Sequence, residues 1–576
     1  MVSSVRMRVV EIRILSLCPP GGANSTAPHD RLTPAGRARV PPVSPGVLLG
    51  AARRAYNVPM EPMDARRTTG EGERQGTRMD RRGALRFSAA AGAAAAAALS
   101  GAGPARGEEH AADGHAGREE RRVLRGHLPT GAPDFVYLPV KVPEGVREIS
   151  VSYRYDKPEV PAGTPGNALD IGIFDERGTA PPGRGFRGWS GGFRDSFTLG
   201  AQQATPGYLP GPVRAGTWHV VLGPYTVAPQ GLDYEVTVVL RYGPAGRTPR
   251  PVHPPERAKG RGRDWYRGDC HLHTVHSDGA RTPREVAAAA RAAGLDFLAT
   301  TEHNTVSGHA AWEGLWGDDL LVLCGEEVTT RNGHWLALGT DPGTFIDWRY
   351  RARDDAFPRF ARAVHRADGL VVPAHPSCPF VGCQWKFGYA HADAVEVWNG
   401  PWTADDELAL AAWDNMLVSR EEWLPAMGNS DAHKEGQDVG LPQTVVLADD
   451  LARRPLLAAI RAGRSYLAES SRISLELAAT TGTAGHAGIG GTLRAAPDAG
   501  VTVALTVRGA PDGATLHLVT DEGTMCTGPA PSLTWRTTPS LATYVRAEVR
   551  HPARPGSGLP GAMAAMTNPV WLGGPA

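Results

Sequence analysis

The chain contains 576 residues, with 61 Lys and Arg against 60 Asp and Glu, which gives a formal net charge of +1 at pH 7. This length predicts several domains. The balanced charge, without any basic segment interleaved with aromatic residues, excludes the broad positive surface of a nucleic-acid-binding protein, so we expect no nucleic-acid partner.

The N-terminal segment has the composition of a targeting region. Residues 1–78 are rich in Arg, Pro and Gly without periodicity, and we expect them to be disordered or to lie upstream of a true start at Met79. Arg81 and Arg82 precede the apolar run 88–99, which small residues follow. This pattern resembles a Tat signal peptide over residues 79–105.

A Tat signal is an address that an export receptor reads. The resemblance therefore implies a protein exported to the cell envelope or beyond it, with the Tat machinery as a partner. The apolar run is too short and too rich in Ala to span a bilayer stably, so we expect no membrane anchor.

The next region predicts β-structure. Residues 149–155 alternate between apolar and polar side chains, and residues 218–222 and 234–240 form two further strand-like runs. Gly and Pro turns separate these runs and no helical period intervenes, which indicates a β-sandwich or jelly roll over residues 120–246. Residues 247–264, rich in Pro, Arg and Gly, predict a linker.

The central region alternates strand and helix patterns. Thr282 as N-cap, Pro283 at the first helical position and Glu285 closing a capping box predict a helix that ends at Gly294. Strand-like runs flank this helix, and more such units follow. When several strands end in polar residues, those ends meet at one rim of a barrel. We therefore predict an α/β domain with a TIM-like barrel over residues 265–468.

The runs of this region end beside residues that bind divalent metals. Two residues apart on a strand, His271 and His273 point their imidazoles to the same side. In chain order the candidate ligands are His271, His273, Asp278, His303, Glu327, His334, His375, Asp431 and His433. One such histidine alone is usually a core or surface residue, but six of them beside carboxylates at strand ends indicate a metal site.

The ordered motifs HLHTVHSDG, TEHN, GEE with GHW, AHP and SDAH resemble the PHP (polymerase and histidinol phosphatase) metallohydrolase family, and within it the CehA/McbA-type branch. The resemblance covers roughly 200 residues, the size of one domain. It implies a distorted (β/α)7 barrel that holds two or three divalent ions.

The resemblance also implies how the ligands divide. A first ion would be held by His271, His273, Glu327 and Asp431. Glu327 would bridge to a second ion, held also by His334 and His375. A third ion would be held by Asp278, His303 and His433. Because the donors are imidazoles and carboxylates without cysteine, the set favours Zn²⁺, Mn²⁺ or Fe²⁺ in a hydrolytic site.

Four of these residues are also predicted to be catalytic. They are Glu327, Asp431, His303 and His433, the two histidines as possible proton carriers. Glu302 stands where the family usually has aspartate before His303. This change is tolerable if Glu302 orients a ligand, and it would alter the third site if Glu302 contacted the metal.

Aromatic and polar side chains near the motifs predict a substrate pocket. Its candidate residues are Trp335, Lys386, Trp398 and Asn399. Packing in the core would explain the tryptophans equally well. Cys378 and Cys383 are close enough in sequence for a disulfide within one loop.

Residues 470–576 contain further strand-like runs and predict a small C-terminal β-domain without visible chemistry. The chain as a whole is predicted to be an exported metal-dependent hydrolase of a small-molecule ester, either a phosphate mono- or diester or an aryl ester or carbamate.

Two alternatives remain open. An amidohydrolase also begins its barrel with an HxH pair, but it would use a lysine carbamate and a lone aspartate, against which Glu327 and the pair Asp431 and His433 argue. A non-catalytic extracellular binding protein with a structural metal site would bind metal and hydrolyse nothing.

Overall fold

The computed structural model describes residues 117–419, 423–482, 485–554, 556 and 560–573. The segments predicted as disordered (1–78) and as a signal peptide (79–105) lie outside the described residues. Their regular secondary structure is mainly β-strand, with four α-helices. None of these helices combines the length and apolar character needed to cross a membrane.

The N-terminal part of the described chain is built from eight antiparallel strands. They are Glu119–Leu128 (β1), Val136–Val142 (β2), Val146–Tyr155 (β3), Ala168–Phe174 (β4), Phe186–Trp189 (β5), Ser196–Gly200 (β6), Gly216–Thr226 (β7) and Leu232–Tyr242 (β8). Two four-stranded sheets, β1-β8-β3-β6 and β2-β7-β4-β5, bury one apolar core that includes Val151, Ile171 and Trp218. This is the arrangement of a β-sandwich, which the alternating pattern predicted.

The central part supplies nine strands and all four helices. The strands are Asp264–Asp269 (β9), Phe297–Thr300 (β10), Leu321–Thr330 (β11), Gly333–Leu338 (β12), Leu370–Pro373 (β13), Val395–Asn399 (β14), Ala426–Asn429 (β15), Gln443–Ala448 (β16) and Ser465–Ala468 (β17). The helices are Pro283–Ala292 (α1), Phe357–His365 (α2), Ala404–Val418 (α3) and Arg453–Arg461 (α4).

Helix α1 has the ends that its sequence predicts. The hydroxyl of Thr282 accepts a hydrogen bond from the backbone N–H of Glu285, and the Glu285 carboxylate accepts one from the backbone N–H of Thr282. Gly294, with φ of +74°, follows the last turn. A residue without a Cβ adopts this left-handed conformation at little cost, so the chain can reverse into β10.

The strands of the central part do not close into the predicted TIM-like barrel through their main-chain hydrogen bonds. Strands β9, β10 and β11 are parallel neighbours, as βα units require. Strand β12 instead pairs antiparallel with β11 as a tight hairpin, and β16 pairs antiparallel with β9 on the other side. Strands β14 and β15 form a separate parallel pair.

The pair β14–β15 nevertheless reaches β9. Leu272 and Ala432 face each other in a parallel bridge just beyond the two strands. The Asp431 N–H donates to the His271 carbonyl over 2.9 Å, and the His273 N–H donates to the Ala432 carbonyl over 3.3 Å. The residues that follow β9 and β15 are therefore held side by side.

The C-terminal part adds ten strands. They are Ser474–Thr481 (β18), Gly485–Gly488 (β19), Thr492–Leu493 (β20), Val501–Arg508 (β21), Thr515–Thr520 (β22), Gly523–Pro529 (β23), Ser532–Thr537 (β24), Tyr544–Arg550 (β25), Met563–Thr567 (β26) and Val570–Leu572 (β27). One sheet has the order β19-β18-β21-β24. The strands β26, β25, β22 and β23 continue the central sheet beyond β17, so this β-region is joined to the central part.

Candidate metal centre

Most of the predicted ligands lie just after strands that are close together. The buried carboxylate of Asp269 holds two of the segments that carry them against each other. At the end of β9, this carboxylate accepts hydrogen bonds from the hydroxyl of Ser430 (2.6 Å) and from the N–H of Gly440 (2.8 Å). It also accepts a longer one from the N–H of His271, at 3.3 Å. The loop after β15, which carries Asp431 and His433, is thereby fixed against the loop after β9.

Four buried atoms that can coordinate a metal ion form the centre of the site. Nε2 of His271 lies 3.2 Å from Oε2 of Glu327 and 3.2 Å from Oδ1 of Asp431. Nε2 of His273 lies 3.2 Å and 3.0 Å from the same two oxygens. None of the four atoms has a hydrogen bond of acceptable geometry. They converge on the space between them.

The spacing of these atoms fits a bound cation. Ligands about 2.0–2.1 Å from a tetrahedral Zn²⁺ ion lie about 3.3–3.4 Å from one another. The four measured separations, between 3.0 and 3.2 Å, are close to that value. Leaving a buried polar atom without a partner costs about 1–3 kcal/mol, and a cation would satisfy all four atoms at once. The donor set therefore fits a divalent metal.

Glu327 also faces a second group. Its Oε1 lies 3.0 Å from Nδ1 of His334 and 3.2 Å from Nε2 of His375. The sulfur of Cys383 is 3.4 Å from the other ring nitrogen of His375. This sulfur belongs to the disulfide Cys378–Cys383, which the sequence spacing allowed and the structure confirms. The two oxygens of Glu327 thus face different groups, as a bridging carboxylate requires.

A third group lies on the more open side of the centre. Oδ1 of Asp278 lies 3.5 Å from Nε2 of His303 and 3.4 Å from Nε2 of His433. The side chains of Asp278, His303 and His433 are 37%, 22% and 25% exposed, whereas those of His271 and Glu327 are fully buried. His273 is within ligand distance of this group as well as of the first. A molecule from solvent would therefore meet the third group first.

The electrostatics of the site show opposite charges held close together. Burial works to raise the pKa of Glu327, but His303 and His271 hold it well below its ordinary value. Burial likewise works to lower the pKa of His433, but Asp431 and Asp278 raise it to about 10. In the absence of a cation, a proton on the His433 imidazole offsets part of the carboxylate charge. A bound metal would replace such a proton.

Glu396 is the main site residue to which the sequence analysis assigns no role. Its fully buried carboxylate accepts hydrogen bonds from Nδ1 of His271 (3.0 Å) and the backbone N–H of His375 (2.8 Å). The side-chain amides of Asn399 and Asn429 donate to it as well. Because Nδ1 of His271 donates to Glu396, Nε2 is the ring atom whose lone pair would face a metal bound in the first group. A charged residue within the apolar run 394–398 was the available signal.

Glu302 orients the loop after β9. Its carboxylate accepts hydrogen bonds from the hydroxyls of Thr274 and Ser277, each over 2.5 Å. The Ser277 hydroxyl is in turn 3.2 Å from Nδ1 of His273. Glu302 belongs to none of the three groups of possible metal ligands. Of the two readings of this departure from the family pattern, the geometry favours the orienting one.

The residues predicted to line a substrate pocket separate into two sets. Trp335 and Trp398 are 0% and 1% exposed and pack in hydrophobic clusters, so neither indole reaches solvent in this structure. Lys386 lies on the surface, where its ammonium donates to Gln384. Asn399 is at the site, because its side-chain amide also lies 3.3 Å from Oδ2 of Asp431.

Comparison with known proteins gives matches in structure only. No protein-family model matches the chain, and no curated protein matches it significantly. A two-domain protein of Bacteroides vulgatus containing a predicted PHP-like metal-dependent phosphoesterase is 18% identical, with a TM-score of 0.30, over 52% of this chain and 94% of that chain. A candidate metal-dependent phosphoesterase of Bifidobacterium adolescentis is 22% identical, with a TM-score of 0.22, over 34% of this chain and 93% of its own.

A third similar structure is an amidohydrolase of Chromobacterium violaceum with bound sulfate and no metal, which is 22% identical with a TM-score of 0.22, over 30% of this chain and 89% of that one. PHP-like metal-dependent phosphoesterases are therefore among the structural neighbours of part of the chain. At these TM-scores the likeness says nothing about the reaction.

The contacts of Glu396 generate a prediction. Replacing it with the isosteric amide, Glu396→Gln, should weaken metal binding by about 10- to 100-fold, because the amide can no longer fix the ring of His271 by charge. Competition against a chromophoric chelator measures this affinity. Glu313→Gln, which alters an exposed glutamate away from the site, is the matched control and should bind as the unaltered chain does. Equal affinity in both variants would contradict the assigned role.

Proposed function

We propose that this chain is a metal-dependent hydrolase with a centre of two or three Zn²⁺, Mn²⁺ or Fe²⁺ ions, and that it cleaves a small-molecule phosphoester or an aryl ester or carbamate. The observation that carries the proposal is the convergence of four buried atoms without a hydrogen bond of acceptable geometry, from His271, His273, Glu327 and Asp431. A divalent cation would complete the coordination of all four and offset the two buried carboxylate charges.

The candidate ligands have different roles in this reaction. When bound, divalent ions would polarise the scissile centre and lower the pKa of a coordinated water. Glu327 sets the separation of the first two groups because its oxygens face both of them. Asp431 balances the charge at the first. No serine or cysteine nucleophile is required by this chemistry.

His433 is the residue that we assign to proton transfer. Its Nδ1 lies 2.7 Å from the backbone carbonyl of Asp431, which can only accept, so Nδ1 donates a hydrogen bond. Nε2 is then the atom with the free lone pair, and it faces Asp278 on the open side of the centre. It would bind the ion of the third group, and would take up or release a proton only when the first two groups alone hold ions. His303 occupies the corresponding place across Asp278 and is a second candidate.

The proposal includes a fold and a location. We propose that β9 to β15 derive from a distorted (β/α)7 barrel of PHP type, which would explain why their ends supply all three groups. We also propose export, for which the twin arginine Arg81 and Arg82 before an apolar run is the support. A Tat substrate folds before export, so the centre could be loaded in the cytoplasm.

The function is tested by metal content and turnover of the purified mature protein. We expect two or three ions per chain by mass spectrometry, and hydrolysis of p-nitrophenyl phosphate, bis-p-nitrophenyl phosphate or 1-naphthyl N-methylcarbamate, the productive substrate identifying the bond class. Chelation should abolish turnover and added Mn²⁺ or Zn²⁺ should restore it. A chain that holds no metal under these conditions would refute the proposal, and one that holds metal but hydrolyses nothing would favour a binding protein.

The bridging position of Glu327 predicts unequal losses of metal. Glu327→Gln should lose two ions, because one carboxylate oxygen faces the first group and the other faces the second. Asp278→Ala should lose only the ion of the third group. Metal analysis of the two purified variants provides the comparison. Equal metal content in both would show that Glu327 does not bridge.

Export is tested separately from catalysis. A reporter fused behind residues 79–110 should appear outside the cytoplasm, and the variant Arg81→Lys/Arg82→Lys should keep it inside, because the export receptor reads the arginine pair. Fractionation of cells followed by a reporter assay measures the distribution. Export of the double-lysine fusion would remove the Tat assignment.

A further inference from the structure

The β-sandwich is attached to the central part on the side where the metal ligands emerge. Five loops or turns carry or adjoin those ligands, and the sandwich contacts four of them, all but the loop after β15. The four are the loop after β9, the loop after β10, the β11–β12 turn and the loop after β13.

The first two loops meet at Gly207 of the sandwich. The Gly207 N–H donates to the Ser307 hydroxyl over 3.0 Å, and the Thr305 hydroxyl donates to the Gly207 carbonyl over 3.0 Å. Ser307 also lies 2.9 Å from Nδ1 of His276, which joins the loop after β10 to the loop after β9. The guanidinium of Arg194, also in the sandwich, donates to the carbonyl of Val275. These contacts lie between or just after His273, Asp278 and His303.

The other two loops meet at the end of β7. Arg331, in the turn between Glu327 and His334, donates to the carbonyl of Pro224 over 2.6 Å and to that of Tyr225. Its guanidinium also lies 4.4 Å from the centre of the Tyr225 ring. The hydroxyl of Tyr225 donates to the carbonyl of Val381 in the loop that follows His375.

An apolar core makes this attachment firm. Trp189 of the sandwich packs against Trp348 with ring centroids 4.7 Å apart, and Phe186 stacks on Phe345 at 4.0 Å. Both sandwich residues belong to a buried cluster shared with β11, β12 and α2. The C-terminal β-region, in contrast, contacts the opposite end of a ligand-bearing strand, where Asn568 bonds to Ala426 at the start of β15.

We propose that the β-sandwich stabilises the metal centre by holding four of the five ligand-bearing loops in place, so that metal binding and docking of the sandwich strengthen each other. This inference rests on the proposed metal centre. Gly207, Arg194, Tyr225 and Arg331 are then positioning residues, which act on the metal through the loops. The coupling is reciprocal, since whatever stabilises the docked loops favours the metal and the metal favours the docked loops.

Hydrogen exchange of the full chain tests the coupling directly. Adding Zn²⁺ or Mn²⁺ to chelator-treated protein should slow exchange in the ligand loops and also in the sandwich segments 189–209 and 222–227. The distant strands β1 and β3 should change little. Slower exchange confined to the ligand loops would overturn the inference, whereas failure to bind metal at all would refute the metal centre itself.

Two substitutions test this docking without touching a ligand. A Cβ added at Gly207 would lie 3.1 Å from the carbonyl oxygens of His276 and Trp189. Gly207→Ala should therefore loosen the contact of the sandwich with the loops after β9 and β10. Gly163→Ala is the matched control, because Gly163 also has positive φ but faces open space. Arg331→Ala should break the contact of the β11–β12 turn with the end of β7. Arg125→Ala, which removes an exposed ion pair, is its control.

We expect Gly207→Ala and Arg331→Ala each to weaken metal binding roughly tenfold, at the lower end of the effects of residues around a metal site. Arg331→Lys should recover only part of the loss, because a lysine cannot donate to both carbonyls in a fixed plane. Metal affinity is measured by chelator competition, and circular dichroism verifies folding. Affinities equal to those of the two controls would overturn the inference, and the exchange experiment on the unaltered chain decides the matter if a variant does not fold.

Discussion

The concentration of ionisable groups in one buried volume is the constraint on which the rest of this structure depends. Carboxylates and imidazoles in or just after six strands, β9 to β13 and β15, are placed closer together than they can be in an unfolded chain, and three of them, His271, His273 and Glu327, are fully removed from water. Burial of charge is tolerated only where charges are paired and hydrogen-bonded. The surrounding residues act to meet this requirement. Asp269, Glu396 and Glu302 each accept several hydrogen bonds from loops that carry ligands.

The candidate ligands could be predicted because they depend on local rules. His271 and His273 lie just beyond β9, where Leu272 still pairs with the loop after β15, and both rings reach the same two oxygens. A polar residue directly after an apolar run lies at or near a strand end. The same holds for α1, whose capping box involves residues three apart, and for the disulfide between cysteines five apart. In each case a few neighbouring residues determine the structure.

What could not be predicted depends on contacts between distant segments. The hairpin of β11 and β12 replaces a βα unit because the turn at Thr330–Gly333 is too short for a helix. The apolar pattern of β12 is the same in either arrangement. Trp335 stands next to His334 in sequence and Trp398 next to Asn399, yet both side chains pack in the core. In the sequence, Glu396 is a single charged residue within an apolar strand. Its role is visible only in the fold, which places it beside His271, 125 residues earlier.

The pairing of β17 with β26 gives the C-terminal region a structural role that its sequence does not show. The predicted boundary near residue 469 falls between a strand and its partners, since Tyr466, Leu467 and Ala468 pair with residues 565–567. Cutting the chain there would leave β17 as an exposed edge with unpaired amides and carbonyls and an apolar face. Such an edge recruits other strands. The last hundred residues therefore cover the edge of the central sheet, and a shortened chain would be prone to aggregation even though every candidate metal ligand is retained.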